Sequence, residues 1–110
     1  IIIIMAENCF INFMEGVNKF SAEERAKIAK SFREDLKHYK IGGAILNIVE
    51  STSEKVPVFI NVMCQQSRKK QFAAEFTAEC DRLRDIYKRN RTEVAEKIAS
   101  LREIVLDSLK

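Results

Sequence analysis

With 110 residues, of which 46% are hydrophobic and 32% charged, the chain has material for one core and too many apolar positions for a disordered polypeptide. That size argues against a catalytic domain joined to a separate regulatory one. Nineteen basic and sixteen acidic groups leave a net charge of +3, a small excess for a domain whose main task would be to neutralise phosphates.

The chain opens with Ile1, Ile2, Ile3, Ile4 and Met5, followed by Ala6 and the first charge at Glu7. A bilayer span needs about 17 apolar residues, so no transmembrane segment is expected here. Residues 1–4 read as a tag, a processed remnant or an adhesive, β-prone segment that requires burial or a partner. Cys9, Phe10, Phe13, Val17 and Phe20 then recur at intervals of three and four, which predicts a first helix over 5–20. Gly16 weakens its last turn.

Ser21, Ala22, Glu23 and Glu24 form a capping-box pattern, the clearest local signal in the chain. The second helix it opens carries Ile28, Ala29, Phe32, Leu36 and Tyr39 on one face, with Glu23–Lys27 and Glu34–His38 spaced to pair outside. Gly42 and Gly43 stand where a helix closes through a left-handed residue, and they predict its end. The run Ala44, Ile45, Leu46, Ile48 and Val49 predicts a short buried helix, with a strand as the competing reading. Residues 51–55 read as a loop. Pro57 belongs in the first turn of the next helix, continued by Val58, Phe59, Val62, Met63 and Gln66.

From Ser67 to the end, 44 residues contain neither glycine nor proline. Phe72, Phe76, Cys80, Leu83 and Tyr87 make one stripe, and Val94, Ile98, Leu101, Val105 and Leu109 a second, with Asn90 in phase between them. Either one helix of more than about 60 Å runs through Asn90, or Asn90 caps a new helix with Glu93 at its third position and the two halves fold back as a hairpin. The break is the preferred reading, since the spacing 87, 90, 94, 98, 101, 105 departs from a clean heptad. The fold class that follows is all-α: a single-domain bundle over residues 1–110 of five to six helices, with a long C-terminal helix or helical hairpin at 67–110.

The sequence presents no assembled chemistry. Its one histidine, His38, lies off the apolar stripe and so away from the cysteines, which removes a Cys–His nucleophile. Cys9, Cys64 and Cys80 are an odd number at spacings that suit neither a disulfide framework nor a metal finger, and three free thiols favour a reducing compartment. Asn90-Arg91-Thr92 matches a glycosylation acceptor, a pattern too short to weigh against that. Glu75 and Glu79 share a helix face without the Glu-x-x-His partner of a di-iron bundle, and Gly42-Gly43 lacks the Lys and Ser/Thr of a phosphate loop. No enzyme activity, metal or cofactor is expected.

Eight basic and four acidic groups fall in 68–91, and on a helical wheel Lys70, Arg84, Lys88 and Arg91 gather on one side. That patch offers a weak route to nucleic acid or an anionic surface. The stripes themselves offer another: Phe72, Phe76, Leu83, Tyr87, Asn90, Val94, Ile98, Leu101 and Val105 are candidate interface residues, with Asn90 selecting a register as buried Asn does in coiled coils. The expected function is therefore a non-enzymatic helical interaction or scaffold domain that binds a protein or its own copy. A small helical carrier of an apolar ligand or lipid is the alternative.

Overall fold

The computed structural model describes residues 19–38, 40–51 and 53–110, so all but the last two residues of the helix expected over 5–20, the isoleucine run, Cys9 and Tyr39 lie outside the described residues. Among the described residues five α-helices follow one another: α1 (Ala22–His38), α2 (Lys40–Glu50), α3 (Val56–Cys64), α4 (Lys69–Tyr87) and α5 (Thr92–Ser108). A single 3-10 turn, Ser53–Lys55, occupies most of the segment expected to be loop and leads into α3. Among the described residues there is no strand.

The start of α1 is built as its sequence requires, with the Glu24 N–H donating to the Ser21 hydroxyl at 3.1 Å. Glu23 and Glu24 in the first turn and Lys37 and His38 in the last complement the helix dipole. Both outward pairs form, Glu23–Lys27 at 3.7 Å and Glu34–His38 at 3.1 Å. Pro57 sits in the first turn of α3, where its missing N–H breaks no bond.

Gly42 and Gly43 depart from expectation. Instead of closing α1 they lie inside α2. Gly42 is buried, and a Cβ there would meet the Glu79 carboxylate at 2.6 Å and the Arg82 guanidinium at 3.3 Å. Glycine here leaves room for the ends of the Glu79 and Arg82 side chains of α4.

The C-terminal 44 residues break into two helices. After α4, residues 88–90 turn, with the Arg91 N–H bonded to the Tyr87 carbonyl at 2.9 Å, and α5 starts at Thr92. The cap position falls to Arg91, one residue later than expected and with no side-chain cap bond, while Asn90 is exposed on the turn. Asn90 therefore does not stand inside the apolar seam. Arg91 is extended (φ −138°, ψ 71°), and its guanidinium pairs with Glu50 at the end of α2 at 3.0 Å. Asp81 of α4 reaches Arg102 of α5 at 3.7 Å, and the turn lies midway between them, as in an antiparallel hairpin.

α2 packs on α1, α4 and α5, and α3 packs on α1 and α5, so these two short helices fill the centre. Phe32 of α1 meets Phe59 of α3 edge to face with ring centroids 5.1 Å apart, and Phe72 and Phe76 of α4 stack at 5.8 Å. The described core is wholly apolar: no polar or charged residue is buried in it. Each fully buried Ile, Leu, Val, Phe or Met contributes about 1.5–3 kcal/mol against chain entropy. Asn47 of α2 donates to Asp35 of α1 at 2.6 Å, and Arg33 of α1 donates to Gln65 beyond α3 at 2.7 Å, so polar contacts tie the helices at the rim of that core.

Candidate functional site

The two C-terminal stripes are consumed inside the chain. Phe72, Phe76, Leu83, Val94, Ile98, Leu101 and Val105 are all buried in its own core, Tyr87 is half-buried against it, and Asn90 points to water. A folded single chain thus shows a partner very little of the surface that the sequence singled out.

What it does show is a trough of about 420 Å³ between α2, the start of α3 and α5. Ile48, Val49, Val56, Leu101 and Ile104 line its floor; Ser51, Glu93, Glu96, Lys97 and Ser100 line its edges. Residues 93, 96, 97, 100, 101 and 104 follow one face of α5 for about 16 Å, because turns of a helix repeat at three and four. The Ser51 hydroxyl donates to the Ile48 carbonyl at 2.9 Å and holds the end of α2 against the trough. Glu93, Glu96 and Lys97 are exposed, and none of them has an ion-pair partner among the described residues. An apolar floor with ionised edges suits an aliphatic group flanked by polar ones.

Past Lys97 the trough adjoins a more polar hollow of about 350 Å³ that shares Val49, Glu93 and Lys97 with it and adds Glu50, Arg91 and Val94. A third hollow, about 310 Å³, lies between α4 and α5 among Asp81, Arg84, Asp85, Lys88, Thr92, Ala95 and Glu96. Three carboxylates there face two cations, so Arg84 and Lys88 sit among acids. Arg91 is held by Glu50, and of the expected basic patch Lys70 stands exposed near the far end of α4. The four cations do not make one uncompensated surface.

The chemical groups weighed from sequence are spread apart. His38 is exposed and touches Glu34. Cys80 is buried in the core, where loss of solvation pushes its thiol up to about 12. Cys64 is half-buried and also raised by desolvation, partly offset by a hydrogen bond with Ser108 and the charge of Lys69. Both therefore hold their proton, the state least suited to nucleophilic attack. Glu75 accepts from Gln71 at 3.2 Å, and Glu79 accepts from Arg82 at 2.8 Å, each on its own helix. Among the described residues no group of three His, Cys, Asp or Glu is placed to hold a metal ion, and no helix is long and apolar enough to cross a membrane.

No protein-family model, curated protein or solved structure matches this chain. The trough is the feature that sequence reasoning missed. Ile48, Val49, Leu101 and Ile104 carry the same helical spacing as core residues, and nothing local marks them as the floor of an opening. Charge gives no signal either: on a helical wheel Lys97 stands beside the second stripe, Glu93 lies further round and Glu96 opposite it, as on an ordinary solvated face.

Proposed function

We propose that the chain is a non-enzymatic helical interaction domain whose docking surface is the trough between α2, α3 and α5. The observation that supports this reading is the trough itself: a hollow over an apolar floor, edged by three exposed charged side chains with no ion-pair partner among the described residues. Apart from the exposed Ile86, the large apolar side chains of the hairpin pack in or against the core, so association through 67–110 at the trough would use the outer edge of α5 and leave the buried stripes undisturbed. A photo-reactive side chain placed at Lys97 tests it in native extract. A discrete cross-linked partner that disappears when Ser100→Arg blocks the trough supports the proposal. The same products with and without Ser100→Arg, in a variant that keeps its helicity, contradict it.

A second reading is favoured by the volume of the trough, which lies within the range of about 300–1,000 Å³ typical of small-molecule sites. On this reading the chain carries an apolar ligand. Organic extraction of the purified protein would then release one compound in near-stoichiometric amount, and the Ser100→Arg protein would release none.

A further inference from the structure

We propose that the exposed face of α1 and the start of α4 together bind the phosphate backbone of a double-stranded nucleic acid, without reading its bases. This surface shares no residue with the trough. Lys30, Arg33 and Lys37 stand at spacings of three and four, so they follow one face of α1, and all three are exposed. Arg68, Lys69 and Lys70 lead into the first turn of α4 and are exposed as well. None of the six has an ion-pair partner among the described residues.

Gln65 joins the two groups. The Arg33 guanidinium donates to its side-chain oxygen at 2.7 Å, and this neutral partner leaves the arginine's charge uncompensated. Arg68 lies three residues further on, at most about 11 Å away between α-carbons. Lys69 is close enough to the end of α3 for its charge to act on the thiol of Cys64, the neighbour of Gln65. Carboxylates stay at the margin. Glu34 is turned onto His38 at 3.1 Å, Asp35 accepts from Asn47 at 2.6 Å, and no acid occurs between Glu54 and Glu75. The overall excess of +3 is therefore unevenly spread.

The start of α4 also runs against its own dipole. α1 opens on Glu23 and Glu24, which suit the positive end of a helix, whereas α4 opens on cations, with no acid in its first turn and no side-chain cap bond. Cations gathered there repel one another and the helix end, and a polyanion laid across them removes that repulsion. The surroundings favour nucleic acid over an anionic membrane. A helix lying on a bilayer buries an apolar face in it, but Ile28, Phe32 and Leu36 turn the apolar face of α1 into the core. Ile86, the exposed large apolar side chain of the described residues, stands about 24 Å beyond Lys70 along α4. Single strands are held by stacking bases on aromatic rings, and none of the described aromatic side chains is exposed. A duplex backbone asks for charge alone.

The test is fluorescence anisotropy of a labelled, mixed-sequence DNA duplex of about 20 base pairs, titrated with the full chain across a series of salt concentrations. The proposal expects a Kd of about 1–100 µM near physiological salt. Log affinity should fall with log salt along a slope of up to about −5, because each phosphate contact adds about −0.9. Lys30→Gln with Lys37→Gln, and separately Lys69→Gln with Lys70→Gln, should each flatten that slope by about 2 and weaken binding about tenfold or more. Lys88→Gln with Arg89→Gln removes the same charge from the turn after α4, beyond screening distance, and should change affinity less than about threefold. Circular dichroism checks that each variant keeps its helices. No binding at about 50 mM salt and about 100 µM chain, or an equal loss in the Lys88 and Arg89 variant, overturns the inference. So does tighter binding to the single strand, or retention on vesicles of phosphatidylserine and phosphatidylcholine at a salt concentration that releases the duplex.

Discussion

At Cys80, burial sets both chemistry and stability. The thiol has an ordinary value of 9.0 and is pushed up to about 12 in the folded chain, chiefly by desolvation. The folded state thus holds the proton more tightly than the unfolded one. The resulting stability is fully present below pH 9 and is lost as the pH rises towards 12, since the unfolded chain alone gains by ionising. Chemical denaturation at pH 7 and pH 10 should show a loss of about 1.4 kcal/mol from this group, absent in Cys80→Ala. An equal loss in the two proteins would mean that Cys80 is solvated. Gly42 makes the opposite kind of prediction. Glycine within a helix costs about 0.5–1 kcal/mol relative to alanine, and the atoms a Cβ would meet are the mobile ends of Glu79 and Arg82, whose pair is partly exposed. Gly42→Ala should therefore leave thermal stability unchanged or raise it by up to about 1 kcal/mol. A loss larger than that would show that the Glu79–Arg82 pair is fixed by surroundings that cannot give.

At the scale of the helices, the sequence was most legible where one local rule acts alone. Ser21 and Glu24 marked the start of α1, Pro57 the first turn of α3, and the stripe from Phe72 to Leu83 the buried face of α4. It was least legible where a residue answers to something distant. Gly42 lies inside α2 under the Glu79 and Arg82 side chains of α4, which no window around residue 42 contains. The break after α4 was expected at Asn90, yet the cap position belongs to Arg91, whose extended backbone is accompanied by the Glu50 contact from α2. The trough is assembled from α2, α3 and α5, so its floor is indistinguishable from core along the chain. The α4 stripe should also dominate stability. Phe76 has no exposed surface and stacks on Phe72, so Phe76→Ala should cost about 3–5 kcal/mol in urea denaturation. A loss under about 1 kcal/mol would mean that α4 is not packed as described.

For the whole molecule, the hairpin decides how apolar surface is divided between core and partner. A continuous helix over 67–110 would leave its stripes in water and require a partner to cover them. Folded back at residues 88–91, the same stripes close the chain's own core, and among the described residues the trough is the apolar hollow that stays accessible. Leu83 and Leu101 are 3% and 4% exposed, so Leu83→Lys or Leu101→Glu places an unpaired charge in that core. Each should abolish the helical circular dichroism signal instead of releasing folded subunits, and folded monomers would return these residues to an interface. The most direct measurement is the distance between spin labels at Glu75 and Asp107, both exposed, carried on encoded ketone side chains that leave the cysteines untouched. Antiparallel neighbouring helices lie about 8–10 Å apart, so the hairpin predicts a label separation below about 25 Å that does not change with protein concentration. A separation near about 48 Å, the span of 32 residues of unbroken helix, would contradict it.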